Sequence, residues 1–112
     1  MKKSDYVPDR GDIVWLQFNP QSGHEQAGHR PALVLSPVSY NRASGLMLCC
    51  PLTNQKKCYP FEVVISDDPD KTSVVLADQV KILDWKTRQA VKKGTASSNV
   101  VMETLSKLQT LL

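Results

Sequence analysis

The feature that most constrains this chain is a change of period near residues 98–99. Before it, apolar runs are short, rich in β-branched residues and cut off by proline, glycine or acidic turns. After it, apolar residues recur at helical spacing. Following the Pro8–Gly11 turn signal, "DIVWLQF" (12–18) alternates Ile13, Trp15 and Gln17 with Val14, Leu16 and Phe18. "PALVLSP" (31–37), "LMLCCPLT" (46–53), "PFEVVI" (60–65) and "SVVLADQVKIL" (73–83) bring the expectation to five strands, with turns at Asn41–Gly45 and at "SDDPDKT". Asp78 and Gln79 interrupt the last run and need partners if buried. Ser98 or Asn99 can cap a helix whose Val101, Leu105, Leu108 and Leu112 share one face, with Glu103 early, where the helix dipole favours an anion. The expected architecture is α+β: a small, strongly bent antiparallel sheet or partly open β-barrel with a C-terminal helix packed on it.

A chain of 112 residues supports one core, so 1–112 reads as a single domain. Its 41% hydrophobic and 22% charged content is that of a folded soluble protein and argues against wholesale disorder. No apolar run follows the basic start, and none is long enough to span a bilayer, so the expected compartment is the cytoplasm, with no membrane association. Cys49, Cys50 and Cys58 are odd in number and lack C-x-x-C spacing, which disfavours both a disulfide framework and a zinc ribbon. The net charge of +3, with Lys81, Lys86, Arg88, Lys92 and Lys93 clustered late, permits attraction to a polyanion without requiring it.

The long stretch Asn19–His29 has no periodicity and ends in "GHEQAGHRP", too polar for a core. On residue type alone Glu25 is a candidate base and Arg30 a candidate anion binder at a loop-to-strand junction; both also suit a solvated surface. Thr53 closes an apolar run and can donate to a ligand oxygen, with Lys56 and Lys57 following it, or it simply ends a strand before a solvated turn.

The blocks "VPDRGDIVWLQFNP", "GHEQAGHRPALVLSP", "YNRASG", "CPLTNQ", "YPFEVV", "VVLADQVK" and "KKGT" resemble, in order and spacing, the MazF branch of the MazF, PemK and Kid toxin family, over nearly the whole chain to about Thr95. The resemblance implies the SH3-like, partly open barrel shared by CcdB, Kid and MazF toxins. It also implies a homodimer, an activity as a sequence-specific endoribonuclease on single-stranded mRNA, and a cognate MazE-like antitoxin as partner. By position it assigns catalysis to Glu25, Arg30 and Thr53, with no metal and no other cofactor. RNA supplies its own nucleophile, the ribose 2′-OH, so the implied roles are Glu25 as general base, Arg30 as clamp on the phosphorane charge and Thr53 as donor to a non-bridging oxygen. The implied products are a 2′,3′-cyclic phosphate and a 5′-hydroxyl.

Within that resemblance, Phe18 or Tyr59 can stack on an extruded base, Gln26, Asn41 and Gln79 can read base edges, and Lys56 can hold backbone phosphate. Histidine is the usual acid and base of metal-free ribonucleases, but neither the His24 nor the His29 place is histidine throughout the family, and a supporting or RNA-contacting role is favoured for both. The Kid branch carries an arginine two residues before the aspartate of its "DQ" block; here that place is Leu76, leaving Asp78 as a structural group or an RNA contact. Two readings from other classes remain at this point: a same-fold toxin that binds DNA gyrase without cleaving RNA, and a non-catalytic binding module.

Overall fold

Strand β1 (Asp12–Phe18) alternates as the sequence pattern requires and pairs antiparallel with β2 (Gly28–Val34) from Ile13–Leu33 through Phe18–Gly28. The computed structural model describes residues 5–18, 28–66 and 73–112, and of Phe18, Gly28, His29 and Ser66 only the backbone. Helix α1 (Val38–Ser44) occupies what the sequence suggested was a turn. Pro37 at its N-cap and Gly45 at its C-cap, with φ 75°, explain why so short a segment closes. Only glycine adopts that left-handed conformation without strain.

Strand β3 (Leu46–Thr53) organises the sheet. One edge pairs with β2 through Val34–Cys49, Leu33–Cys50 and Ala32–Pro51. The other edge is shared: β6 (Lys81–Asp84) pairs with Leu46–Cys49, and β5 (Ser73–Leu76) pairs with Leu52 and Thr53. The expected single strand 73–83 is therefore two strands, broken by a turn at Ala77–Asp78. Strand β4 (Glu62–Ser66) pairs with β5, and β7 (Val91–Thr95), which has no alternating pattern to announce it, pairs with β1. The result is a curled antiparallel sheet of seven strands in the order β4-β5-β3-β2-β1-β7, with β6 against β3.

The C-terminal helix α2 (Ser98–Gln109) covers one face. Its N-cap is Ser97, one residue before the expected pair, and its hydroxyl accepts from the Val100 amide at 3.2 Å. Val100, Val101 and Leu108 meet Ile13, Leu33, Cys50, Leu52, Val63 and Val75 in the larger core, with Leu105 partly buried against it. Leu112 is 93% exposed beyond the helix end and does not extend the apolar stripe. The opposite face carries a second core of Val14, Leu16, Ala32, Val34, Met47, Cys49 and Trp85. Both faces of the central strands are thus buried, which is why β1 reads as apolar on both parities.

Among the described residues, no helix is long and apolar enough to cross a membrane.

Candidate functional site

The ladder between β2 and β3 ends where prolines remove its donors. Pro31 stands in β2 and Pro51 in β3, and neither has an amide N–H to give. Past the Ala32–Pro51 pair, β3 continues to pair on its other edge, Leu52 with Val75 and Thr53 with Val74. Arg30 lies two residues before Ala32 and Thr53 two residues after Pro51, so by strand alternation both fall on the sheet face of Ala32, away from α2. Both residues are half-buried.

Thr53 Oγ1 accepts from the Gln55 amide at 3.2 Å, which turns the chain out of β3 and leaves the hydroxyl proton for another acceptor. Beside it lies a cleft of about 470 Å³ lined by Thr53, Gln55, Lys57, Tyr59, Asp78 and Gln79. The segment from Asn54 to Phe61 is folded around Glu62, whose carboxylate accepts from the Lys57 amide at 3.1 and 3.0 Å and from the Tyr59 amide at 3.4 Å. Cys58, between them, has φ 58°, a left-handed conformation that such charge-assisted anchoring holds in place. Across the cleft the Tyr59 hydroxyl donates to Asp78 Oδ2 at 3.0 Å, and this bond raises the Tyr59 pKa above the ordinary phenol value.

The sequence-derived residues divide as follows. Thr53 and Gln79 line the cleft, and Lys56 does not; its neighbour Lys57 is the cation there. Lys56 is exposed outside the lining, because the turn around Glu62 directs successive side chains to different sides. Phe18 and His29 sit on the β1–β2 ladder, paired with Gly28 and Gln17 respectively. Glu25, His24 and Gln26 lie outside the described residues, in the segment that joins those two strands.

Asn41 is corrected. Its side chain is fully buried in α1, donating to Pro8 O at 2.7 Å and Ser36 O at 3.1 Å and accepting from Ser36 Oγ at 2.6 Å, while its carbonyl accepts from Trp85 Nε1. With its amide committed to the core it has nothing to offer a base edge. The cleft also contains groups that sequence reasoning passed over, Gln55 and Glu62 above all. A polar residue after a strand end carries no local signal that it faces a cavity.

Among the described residues, no cluster of three or more His, Cys, Asp or Glu side chains could hold a metal ion. Cys49 and Cys50 are buried in the two cores and Cys58 is exposed.

This curled antiparallel half-barrel with a C-terminal helix and a polar cleft at its side matches solved structures of a class of small toxins. Residues 9–112 match the model of the PemK-like, MazF-like toxin of type II toxin-antitoxin systems. The chain is 50% identical over 109 residues to the endoribonuclease toxin MazF of Escherichia coli K12, covering 97% of each, and 41% identical to that strain's endoribonuclease toxin ChpB, covering 100% of this chain and 98% of the other. Its fold superposes with a TM-score of 0.88 on a MazE–MazF crystal structure from Deinococcus radiodurans, at 51% identity over 96% of both chains. The chain belongs to the PemK-like, MazF-like toxin family.

Proposed function

We propose that this toxin is a metal-independent endoribonuclease that cleaves single-stranded mRNA in the cytoplasm at a short recognition sequence and so arrests translation and growth. The observation that carries the reading is the polar cleft beside the half-buried Thr53 in a chain half identical to an endoribonuclease toxin. A non-cleaving gyrase binder has no use for Arg30 and Thr53 together with Glu25.

The chemistry is that of an intramolecular displacement. Glu25 takes the proton of the ribose 2′-OH, the 2′-oxygen bonds to the adjacent phosphorus, and the bond from phosphorus to the 5′-oxygen breaks. The 5′-oxygen leaves as a hydroxyl after gaining a proton from solvent water, and a 2′,3′-cyclic phosphate remains. Arg30 acts by charge, because its planar fork matches two phosphorane oxygens. Thr53 donates its hydroxyl proton to a non-bridging oxygen. Held at strand positions, both groups need little reorganisation as charge develops.

The partner is a cognate antitoxin, in keeping with the MazE–MazF structures among its relatives, and the working unit is a homodimer. An acidic, unfolded antitoxin tail that folds along the dimer groove fits a chain of net charge +3.

The test is cleavage of a long RNA in chelator with mapping of 5′-hydroxyl ends. Arg30→Ala and Glu25→Ala should each lower the rate at least a hundredfold while melting temperature and antitoxin binding are retained. A site whose 2′-OH is replaced by hydrogen should not be cut; full cleavage there would refute the mechanism.

A further inference from the structure

The displacement just described leaves one charged group of the cleft without a task. Asp78 sits in the turn that separates β5 from β6, and its Oδ2 accepts from the Tyr59 hydroxyl at 3.0 Å. Its Oδ1 is buried and has no hydrogen-bond partner among the described residues. A buried carboxylate oxygen left unpaired is costly, and native structures keep few of them. Being buried, Oδ1 cannot itself meet a ligand, so what Asp78 controls is the ring bonded to its other oxygen.

That ring is 48% exposed on the wall of the cleft that Thr53 also lines. It is restrained at both ends: Asp78 holds the hydroxyl, and Glu62 accepts from the Tyr59 amide. The Phe61 ring lies 5.9 Å away at a 47° tilt, supporting it from the side. An exposed tyrosine alone is unremarkable, but one fixed at hydroxyl and backbone loses little freedom when something stacks on it. Around it stand Gln55 and Gln79, which offer amide donors and acceptors, and Lys57, which offers a cation. A flat apolar face, amide groups and one positive charge match a nucleobase, its edge and its phosphate.

We infer that Tyr59 is a stacking platform for one unpaired RNA base next to the scissile phosphate, with Asp78 as the residue that positions it. The inference rests on the endoribonuclease reading and adds to it a base subsite on the Thr53 side of the scissile bond. Asp78 is then a positioning residue and touches no reacting atom.

The experiment uses the full-length protein and an RNA carrying its mapped cut sequence. For the fluorescence reading a 2′-deoxy sugar at the cut site blocks cleavage and 2-aminopurine replaces each flanking base in turn; KM and kcat are read on the unsubstituted, cleavable RNA. In wild type, fluorescence should be quenched at one flanking position by stacking. Y59A should abolish that quench and raise KM about ten- to hundredfold, with kcat changed far less. Y59W should keep the quench. D78A and Y59F, which each remove the anchoring bond but leave the ring, should raise KM equally and by less than Y59A; D78N, which retains an acceptor, should stay near wild type. D78A should add nothing in the Y59A background, a coupling that a general loss of stability would not produce. Multiplying KM effects in the double variant, or quenching unchanged in Y59A, would overturn the platform. If Y59A does not fold, the equality of D78A and Y59F decides the same question. If wild type cuts no RNA, the underlying reading falls and the subsite with it; if wild type cuts and Y59A behaves identically, only the subsite falls.

Discussion

Replacing Asn41 by alanine tests the tertiary structure where it departs most from what residue type suggests. The side chain makes three hydrogen bonds in a site with no solvent exposure, two as donor to Pro8 O and Ser36 O and one as acceptor from Ser36 Oγ. Each such bond contributes about 0.5–1.5 kcal/mol net, and each buried partner left unpaired adds a penalty of about 1–3 kcal/mol. Because these terms overlap, Asn41→Ala should cost about 3–5 kcal/mol, a large part of the roughly 5–15 kcal/mol that holds a domain of this kind together. The corresponding fall in melting temperature is on the order of 10–20 °C. The assay is equilibrium urea unfolding at one fixed protein concentration, since dimerisation would otherwise contribute to the midpoint. The midpoint should drop with the slope unchanged. An exposed asparagine that reads a base would give the reverse: stability within about 0.5 kcal/mol of wild type and weakened RNA binding. That outcome would refute the placement of Asn41 as a tie between α1, the Pro8 turn and Ser36.

Burial pushes the thiols of Cys49 up to about 11 and Cys50 up to about 12, with Lys81 and Arg88 pulling the first partly back and Cys49 and Asp78 adding to the second. At pH 8 a disulfide reagent should therefore titrate one thiol, Cys58, in the native protein and three after denaturation; three fast native thiols would contradict the core. Because the native state holds both protons more tightly, their share of stability is present below the ordinary thiol range and is lost as pH rises through about 11 and 12. A denaturation midpoint that fails to fall in that window would refute the sign. Ser97→Ala removes the bond to the Val100 amide at the start of α2 and should cost about 1 kcal/mol in the same urea assay, with Asp at that position largely preserving stability.

The legible part of this protein is what local pattern encodes. Alternation over Asp12–Phe18, the apolar run Leu46–Thr53 and the helical stripe of Val101, Leu105 and Leu108 announced their elements, because side-chain period follows directly from backbone geometry. The β7 strand "VKKGT" escaped notice because its burial is slight and its pairing with β1 is its reason to be extended. The break at Ala77–Asp78 was hidden inside an apolar run, since only the sharing of one β3 edge between β5 and β6 requires it. At the site, Arg30 and Thr53 stood out as residue types at strand boundaries, and the aligned blocks joined them to Glu25. That Thr53 borders a cleft with Tyr59 and Gln79 could not be read from spacing.

The sequence by itself determined a small α+β architecture, because strand-length runs, turn residues and one amphipathic helix are properties of consecutive residues, and its collinear blocks carried the resemblance to the PemK-like, MazF-like toxin family. Only the tertiary structure decided which polar side chains are core ties and which face a ligand. Asn41 and Gln79 look alike as amides in polar surroundings, yet one is enclosed by Pro8 and Ser36 and the other borders a cleft with Tyr59 and Thr53. Burial is set by what distant strands bring against a residue. The register between β2 and β3, and the turn that leaves β3 for Tyr59, are consequences of long-range pairing that no local pattern contains.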